Sequence, residues 1–337
     1  MSDPIIRPLA FEDLDDALRL STVVGWNQRL DDWRMLLRLA PAGAFAAVLD
    51  ARDVSDVSDV SDVSLVGTAI GIDYGGFAWI AMMLVDPAFR GRGVGRRLLE
   101  AAIDAVPSNL PIRLDATLLG RPLYQRYGFE DETALSRHVI DHAGLAEARV
   151  ARRRPAPFAV QPLTDADLAI VVEQDRETFG GTRGGVLGWA FHGAAQYAYA
   201  VRNDNGPIHY CLGRQGRVFD QIGPVVAGDD DIAHALVSAA LAAAGDRAVA
   251  VDAFDPSTAS GPGSPTRVFQ RVGVGGSSRA RSRGDSRSAF VAALRGDGFV
   301  VQRPLVRMCR PTDSGACRTA VSQGNICEFA ILGPEFA

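Results

Sequence analysis

The chain contains no lysine. A Walker-type phosphate loop, which requires Gly-Lys-Ser/Thr, is therefore excluded. Cysteine is scarce: Cys211, Cys309, Cys317 and Cys327 all fall in the second half, with no C-x-x-C pair and no Cys/His cluster of zinc spacing. They read as reduced, buried or incidental thiols, and no metal is expected. No apolar run reaches membrane-spanning length, and the opening MSDPIIRPLAFEDLDD lacks the basic and apolar regions of a secretory signal. An excess of positive charge is missing too: the net charge is −5 over 337 residues, so no general pull toward nucleic acid is expected. The expectation is a globular, cytoplasmic chain with neither a membrane nor a nucleic-acid partner, long enough for two ordinary domains. The all-arginine basic set and abundant alanine read as a GC-rich bacterial coding bias.

The most informative stretch runs from Ala78 to Ala105. Trp79–Val85 is an apolar run of strand length, followed by a turn at Asp86-Pro87, then Arg90-Gly91-Arg92-Gly93-Val94-Gly95, then an amphipathic helix carrying Leu98, Leu99, Ala102 and Ile103. A strand, a glycine-rich turn and a helix N-terminus in that order form an anion cradle. The first-turn amides lack partners, the dipole favours negative charge, and glycine lets the backbone approach a phosphate closely. Arg90, Arg92, Arg96 and Arg97 add positive charge. A dinucleotide loop does not fit, because the third glycine of G-x-G-x-x-G would fall at Arg96.

The spacing that does fit is R-x-x-G-x-G, at Arg90, Gly93 and Gly95, after an apolar strand ending in Val-Asp-Pro. This resembles the acetyl-CoA loop of the GNAT superfamily of N-acetyltransferases. A second signature lies downstream in Tyr124-Gln125-Arg126-Tyr127-Gly128-Phe129, which resembles the superfamily's Tyr-x-x-x-Gly-Phe; the Asn seven residues before that Tyr is here Thr117. Thr117 retains a donor for the pantetheine arm, with a shorter reach. Together with Gly25-Trp26-Asn27-Gln28, these features look like the bacterial two-part GNAT proteins related to YitH. The resemblance implies a mixed α/β (α+β) architecture of tandem GNAT-like domains, each a twisted, mostly antiparallel mixed sheet flanked by helices. It divides the chain into a catalytic domain at 1–145, a linker at 146–157 and a degenerate GNAT-like domain at 158–337.

In the first half, Ile5–Pro8, Ala44–Leu49 and Leu65–Tyr74 read as strands, and Glu12–Val24 and Asp31–Leu39 as helices. Between two of the strands, Asp-Val-Ser repeats four times from Asp53 to Ser64, an expansion suited to a hairpin tip. Its spacing is wrong for a calcium loop. Trp26, Asn27 and Gln28 sit where the GNAT fold reaches over its acceptor, so they are candidate substrate contacts; alternatively Trp26 and Trp33 staple two helices together.

The second half repeats the first. Phe158–Leu163 echoes Ile5–Leu9, Gly223–Val226 echoes the strand before the cradle, and Asp252 matches Asp115. Gly298-Phe299 precedes Arg307 by the interval at which Gly128-Phe129 precedes Arg137. The cradle is absent: Asp229-Asp230-Asp231 stands where phosphate would sit, so no coenzyme A site is expected here. Residues 257–288, rich in Gly, Ser and Arg, read as a low-complexity insertion, or as a basic nucleic-acid arm without the aromatic residues such an arm uses. Ile326–Leu332 reads as a last strand.

The resemblance implies direct attack of a primary amine, on a small molecule or a protein, on the thioester of acetyl-CoA. Backbone of Met83, Leu84 and Val85 would hold the pantetheine arm, and Gly91 to Arg96, Val94 included, the diphosphate. Tyr124 would protonate or hydrogen-bond the departing thiolate, or else only pack on the sheet. The strand into the cradle carries no carboxylate. Asp115, in an apolar strand, is the candidate base or else a purely structural carboxylate; Asp73 and His138 are weaker options. The alternative function is a non-catalytic acyl-CoA-binding sensor or scaffold.

Overall fold

A computed structural model describes residues 3–49, 64–151, 158–203, 206–256, 283–312 and 326–337. Hydrophobic patterning accounts for its elements. The continuous apolar run AWIAMMLV becomes β4 (Ala78–Val85), buried on both faces as a central strand must be. The helix after the cradle, α3 (Val94–Asp104), buries Val94, Leu98, Leu99 and Ala102, one stripe at helical spacing. Each fully buried leucine in that stripe is worth about 1.5–3 kcal/mol of transfer free energy.

Around them the first half forms β1 (Ile5–Pro8), α1 (Leu14–Val23), α2 (Leu30–Leu39), β2 (Ala44–Leu49), β3 (Ser64–Asp73), β5 (Ile112–Ala116), α4 (Arg121–Gln125) and β6 (Glu130–Ile140). A further helix, α5 (His142–Ala151), runs through the first part of the segment expected to be linker. The second half forms β7 (Val160–Pro162), α6 (Asp165–Phe179), α7 (Gly184–Gly193), β8 (Tyr199–Val201) and β9 (His209–Arg214). It continues with β10 (Asp220–Ala227), α8 (Asp230–Ala242), β11 (Val249–Phe254), α9 (Arg283–Gly296), β12 (Val300–Arg310) and β13 (Cys327–Ile331).

Three expectations change. The region 257–288 is not wholly irregular, because α9 begins at Arg283 and buries Phe290, Val291 and Leu294; residues 257–282 lie outside the described residues, as do the Asp-Val-Ser repeat up to Val63 and the Arg/Pro segment 152–157. Cys309 is disulfide-bonded rather than a thiol, while Cys211 is a buried thiol. And the two halves do not carry two separate sheets.

All thirteen described strands form one sheet, ordered β1-β2-β3-β4-β5-β12-β6-β11-β13-β10-β9-β8-β7. The order shows an exchange: β12 of the second half pairs with β5 of the first, and β6 of the first pairs with β11 of the second. The exchanged strands β6 and β12 meet each other at the centre. A hydrophobic core on one face runs unbroken from α1 and α2 to α6 and α7.

The repeated Asp/Arg spacing explains the exchange. Arg307 donates Nε and Nη2 to the two oxygens of Asp115 at 2.9 and 3.0 Å. Arg137 does the same to Asp252 at 2.7 and 2.6 Å. Each pair joins directly opposite residues of two antiparallel strands, one from each half. Both carboxylates are fully buried. Such a pair adds little net stability, yet removing one partner leaves a buried charge uncompensated. Asp252→Ala is therefore expected to lower the unfolding free energy by about 3–5 kcal/mol in urea titrations, and Arg137→Met with Asp252→Leu by clearly less. Equal losses in the single and double variants would contradict this.

Candidate active site

The site begins where two parallel strands part. β4 and β5 pair only at Ala78–Ile112 and Trp79–Arg113, then diverge. Beyond Trp79, β4 keeps β3 on one side, and its other edge faces a gap. A bulge re-aims that edge: the register with β3 shifts between Thr68 and Ile70, Met82 takes φ +51°, and Thr68 Oγ1 donates to the Met82 carbonyl at 2.8 Å. Positive φ at a methionine is strained and is found where a backbone group has a task. The gap opens into a cavity of about 490 Å³ whose lining includes Met83, Leu84, Val85, Thr117 and Tyr124.

At the carboxyl end of β4 lies the cradle. Gly91 and Gly93 both hold φ +77°, a conformation that suits glycine. Gly93 caps α3 without any side-chain bond. The amides of Val94, Gly95 and Arg96 therefore point out of the helix end with no carbonyl behind them to take their hydrogens. They face a cleft of about 700 Å³ bordered by Arg90, Gly91, Arg96, Arg126 and Tyr127. This cleft shares Val85, Arg90, Gly95 and Leu123 with the cavity, so the two form one track. Arg92 lies 5.2 Å over the Phe89 ring, outside the lining, and Arg97 turns away to donate to the Pro4 carbonyl at 2.9 Å. Arg126, unmarked by any motif position, is the cation that sequence reasoning missed there.

The second half has the same plan with the gap closed. β10 and β11 pair in parallel at Asp220–Val249, Gln221–Ala250 and Ile222–Val251, then part. β13 fills the space, bonded to β10 at Val225–Ala330 and to β11 at Asp252–Ile331. The following helix is capped by its own chain, since the Asp229 carboxylate accepts from the Ile232 amide at 2.8 Å and Asp230 and Asp231 occupy the first turn.

Two family profiles, each described as an acetyltransferase (GNAT) domain, match residues 59–131 and 171–259. YitH of Bacillus subtilis (strain 168), an uncharacterised N-acetyltransferase, is 28% identical over 169 residues, covering 49% of this chain and 56% of that protein. Each half of the chain thus contains a segment that matches a GNAT acetyltransferase domain. The match spans little more than half of YitH's length. Among solved structures, a provisionally assigned acetyltransferase from Pyrococcus horikoshii superposes with a TM-score of 0.65 at 20% identity, over 99% of this chain and 96% of that one. A GCN5-related N-acetyltransferase from Sphaerobacter thermophilus gives 0.54 at 17% identity, over 91% and 96%. These likenesses concern the fold.

Within this GNAT frame the expected residues fall into two sets. Tyr124 lines the cavity with its ring against Phe129, and its hydroxyl makes no hydrogen bond among the described residues. Burial raises its pKa, so the phenol stays protonated. Thr117 Oγ1 accepts from the Gly120 amide at 3.2 Å, which leaves its O–H available to donate. Asp115 borders the cavity, but both of its oxygens are engaged by Arg307. Asp73 caps a hairpin by accepting from the Gly75 amide, and His138 is buried away from the cavity lining.

Trp26, Asn27 and Gln28 all border the cavity's far end. Asn27 is committed elsewhere: it donates to the Phe219 carbonyl at 2.9 Å and accepts from the Val218 and Phe219 amides. It clamps the halves together, and no free acceptor remains on it for a substrate. Trp26 is half-buried against the shared core and takes Arg217 on its carbonyl. Gln28 is buried, and no donor among the described residues reaches its Oε1.

The same end contains groups that no motif announced. Residues 332–337 run on from β13 and deliver Pro334 and Glu335 to the cavity, with the Pro334 carbonyl accepting from Trp79 Nε1 at 3.0 Å. Glu335 pairs with Arg214, which also binds Asp32 at 2.9 Å. Arg303 and Arg137 complete the lining.

Burial pushes Asp32 up to about 6, against the pull of Arg214. The folded chain thus protonates Asp32 at higher pH than the unfolded chain, which does so near pH ~4. This carboxylate's contribution to stability is full below about pH 4 and falls as pH rises through about 6. Asp32→Asn removes the titration, so the stability difference between variant and wild type should move in the variant's favour from about pH 4 to 7 in urea melts. A difference constant across that range would contradict the assignment.

Proposed function

We propose that the first half transfers an acetyl group from acetyl-CoA to a primary amine by direct attack, and that the second half completes the acceptor end without binding coenzyme A. The observation that carries this reading is the continuity of the uncapped α3 terminus with the gap beside β4 and with the Tyr124 hydroxyl. A diphosphate suits the amides of Val94 to Arg96 with Arg90, Arg96 and Arg126 around it. The edge of Met83 to Val85 offers an extended arm the backbone bonds that a neighbouring strand would take, and Thr117 offers a donor.

In the reaction the amine nitrogen bonds to the thioester carbon, the C–S bond breaks, and the thiolate needs a donor. Tyr124 is the donor. Its pKa lies above the ordinary phenol, whereas a thiol's is about 8.5, so complete proton transfer to sulfur runs uphill and a hydrogen bond is the assigned role. The amine must also lose a proton. Asp115 is assigned to holding β5 against β12 instead, because taking a proton would break its pair with Arg307. Glu335 has one oxygen on Arg214 and the other without a hydrogen bond among the described residues, which supports assigning it as the carboxylate that receives that proton. The work belongs in the cytoplasm, where acetyl-CoA is supplied.

Tyr124→Phe is expected to lower kcat by about 100-fold while leaving acetyl-CoA affinity and the unfolding midpoint nearly unchanged, as measured by thiol release with an amine panel. Unchanged kcat would remove Tyr124 from the mechanism. Wild-type protein that binds acetyl-CoA yet releases no thiol with any amine would be the non-catalytic acyl-CoA module instead.

A further inference from the structure

Among the described residues, the Arg303 guanidinium in the cavity makes no ion pair. Arg303 on β12 lies directly opposite Arg137 on β6, and both border the acceptor end. Like charges facing each other across a strand pair repel. Arg137 is neutralised by its two bonds to Asp252. The Arg303 side chain has neither a hydrogen bond nor an ion pair among the described residues, and its Nε is buried with no acceptor. Burial and the neighbouring Arg137 lower its pKa to about 10, against the pull of Asp252 and Glu335. A buried donor left in this state costs free energy unless something brought into the cavity accepts from it.

Acceptors without donors face the same space. Gln28 Oε1 is buried and has no partner among the described residues. The cluster of Asp32, Arg214 and Glu335 sets two carboxylates around one guanidinium, leaving a surplus negative charge on the cavity side at Glu335. No ion pair joins Glu335 to Arg303 among the described residues, although the Glu335 charge is felt at Arg303. Trp26, Leu119 and Leu305 add apolar surface to the cavity lining.

We propose that the acceptor is a zwitterion, a small amino acid whose carboxylate binds Arg303 and whose ammonium meets Glu335 and Gln28 Oε1. The chemistry of this inference rests on the acetyl-transfer reading above; the binding geometry stands without it. A simple alkylamine leaves Arg303 unpaired, and a polyamine sets a second cation against it. A carboxylate suits the guanidinium fork, and the ammonium end is drawn to the same carboxylate that receives the proton as the nitrogen becomes nucleophilic.

Matched pairs decide the matter: α-amino acids against the amines that remain when the carboxylate is removed. Each is offered to the full chain loaded with coenzyme A in calorimetry, and with acetyl-CoA in a thiol-release assay. The amino acid should bind, and its kcat/KM should exceed that of its decarboxylated partner by about 10- to 100-fold. Arg303→Met should bring that ratio near one, and Arg303→Lys should retain part of it. Arg303→Met should also unfold at a higher temperature than wild type, because the repulsion with Arg137 is gone; this separates lost preference from lost fold. A wild-type preference for the decarboxylated amine, a preference that survives Arg303→Met, or no amino-acid binding in calorimetry overturns the proposal. Amino-acid binding without thiol release from any amine upholds the site and overturns acetyl transfer, while thiol release confined to plain amines does the reverse.

Discussion

Everything in this molecule depends on the reciprocal gift of a strand. β12 completes the first half and β6 the second, and at the same ladder position of each exchange an arginine closes bidentately on a buried aspartate. The energetic return of a buried ion pair is small. Its structural consequence is larger. A slip of one residue in either ladder would send the guanidinium to the opposite face of the sheet and leave the carboxylate buried alone. Register at both joints is thereby fixed, and with it the distance between the first half's cavity and the second-half residues that line it.

From that joint the asymmetry of the halves follows. Both copies open a gap between two parallel strands. In the first, the gap remains a cavity and leads to a helix end whose cap is a glycine. In the second, β13 lies in the gap and the helix end is capped by Asp229. Having filled one gap, the same stretch of chain continues to Pro334 and Glu335 and furnishes one wall of the other. The degenerate copy thus blocks its own site and supplies part of its neighbour's.

How much of this was legible in the residues differs by scale. Strands and helices with a clean period, such as Trp79–Val85 and the Leu98/Leu99 stripe, appear where their patterning put them, because burial on one face or two is a local property. The glycine cradle was legible for the same reason: backbone freedom and helix-end chemistry are written within a few consecutive residues. The repeated Asp/Arg interval was visible, yet it read as evidence of duplication only. That the two residues of each pair would meet across halves is a fact of topology, which no local pattern encodes. The apolar neighbours of Asp115 fit a base or a structural carboxylate equally well in the sequence, and the same neighbours enclose Arg307, which lies far along the chain. Asn27 looked like a substrate contact because the turn at Val218 and Phe219 that consumes it lies far along the chain. Glu335 and Arg303 carried no motif at all. They matter because of where a distant strand places them.

The central claim is that one helix mouth in this chain grips the diphosphate of coenzyme A and its counterpart in the second half does not. Isothermal titration of the full chain with coenzyme A tests that claim most directly. The account predicts a single site per chain, weakened when Arg96 is reversed to glutamate. Two sites per chain, or no binding, would contradict it.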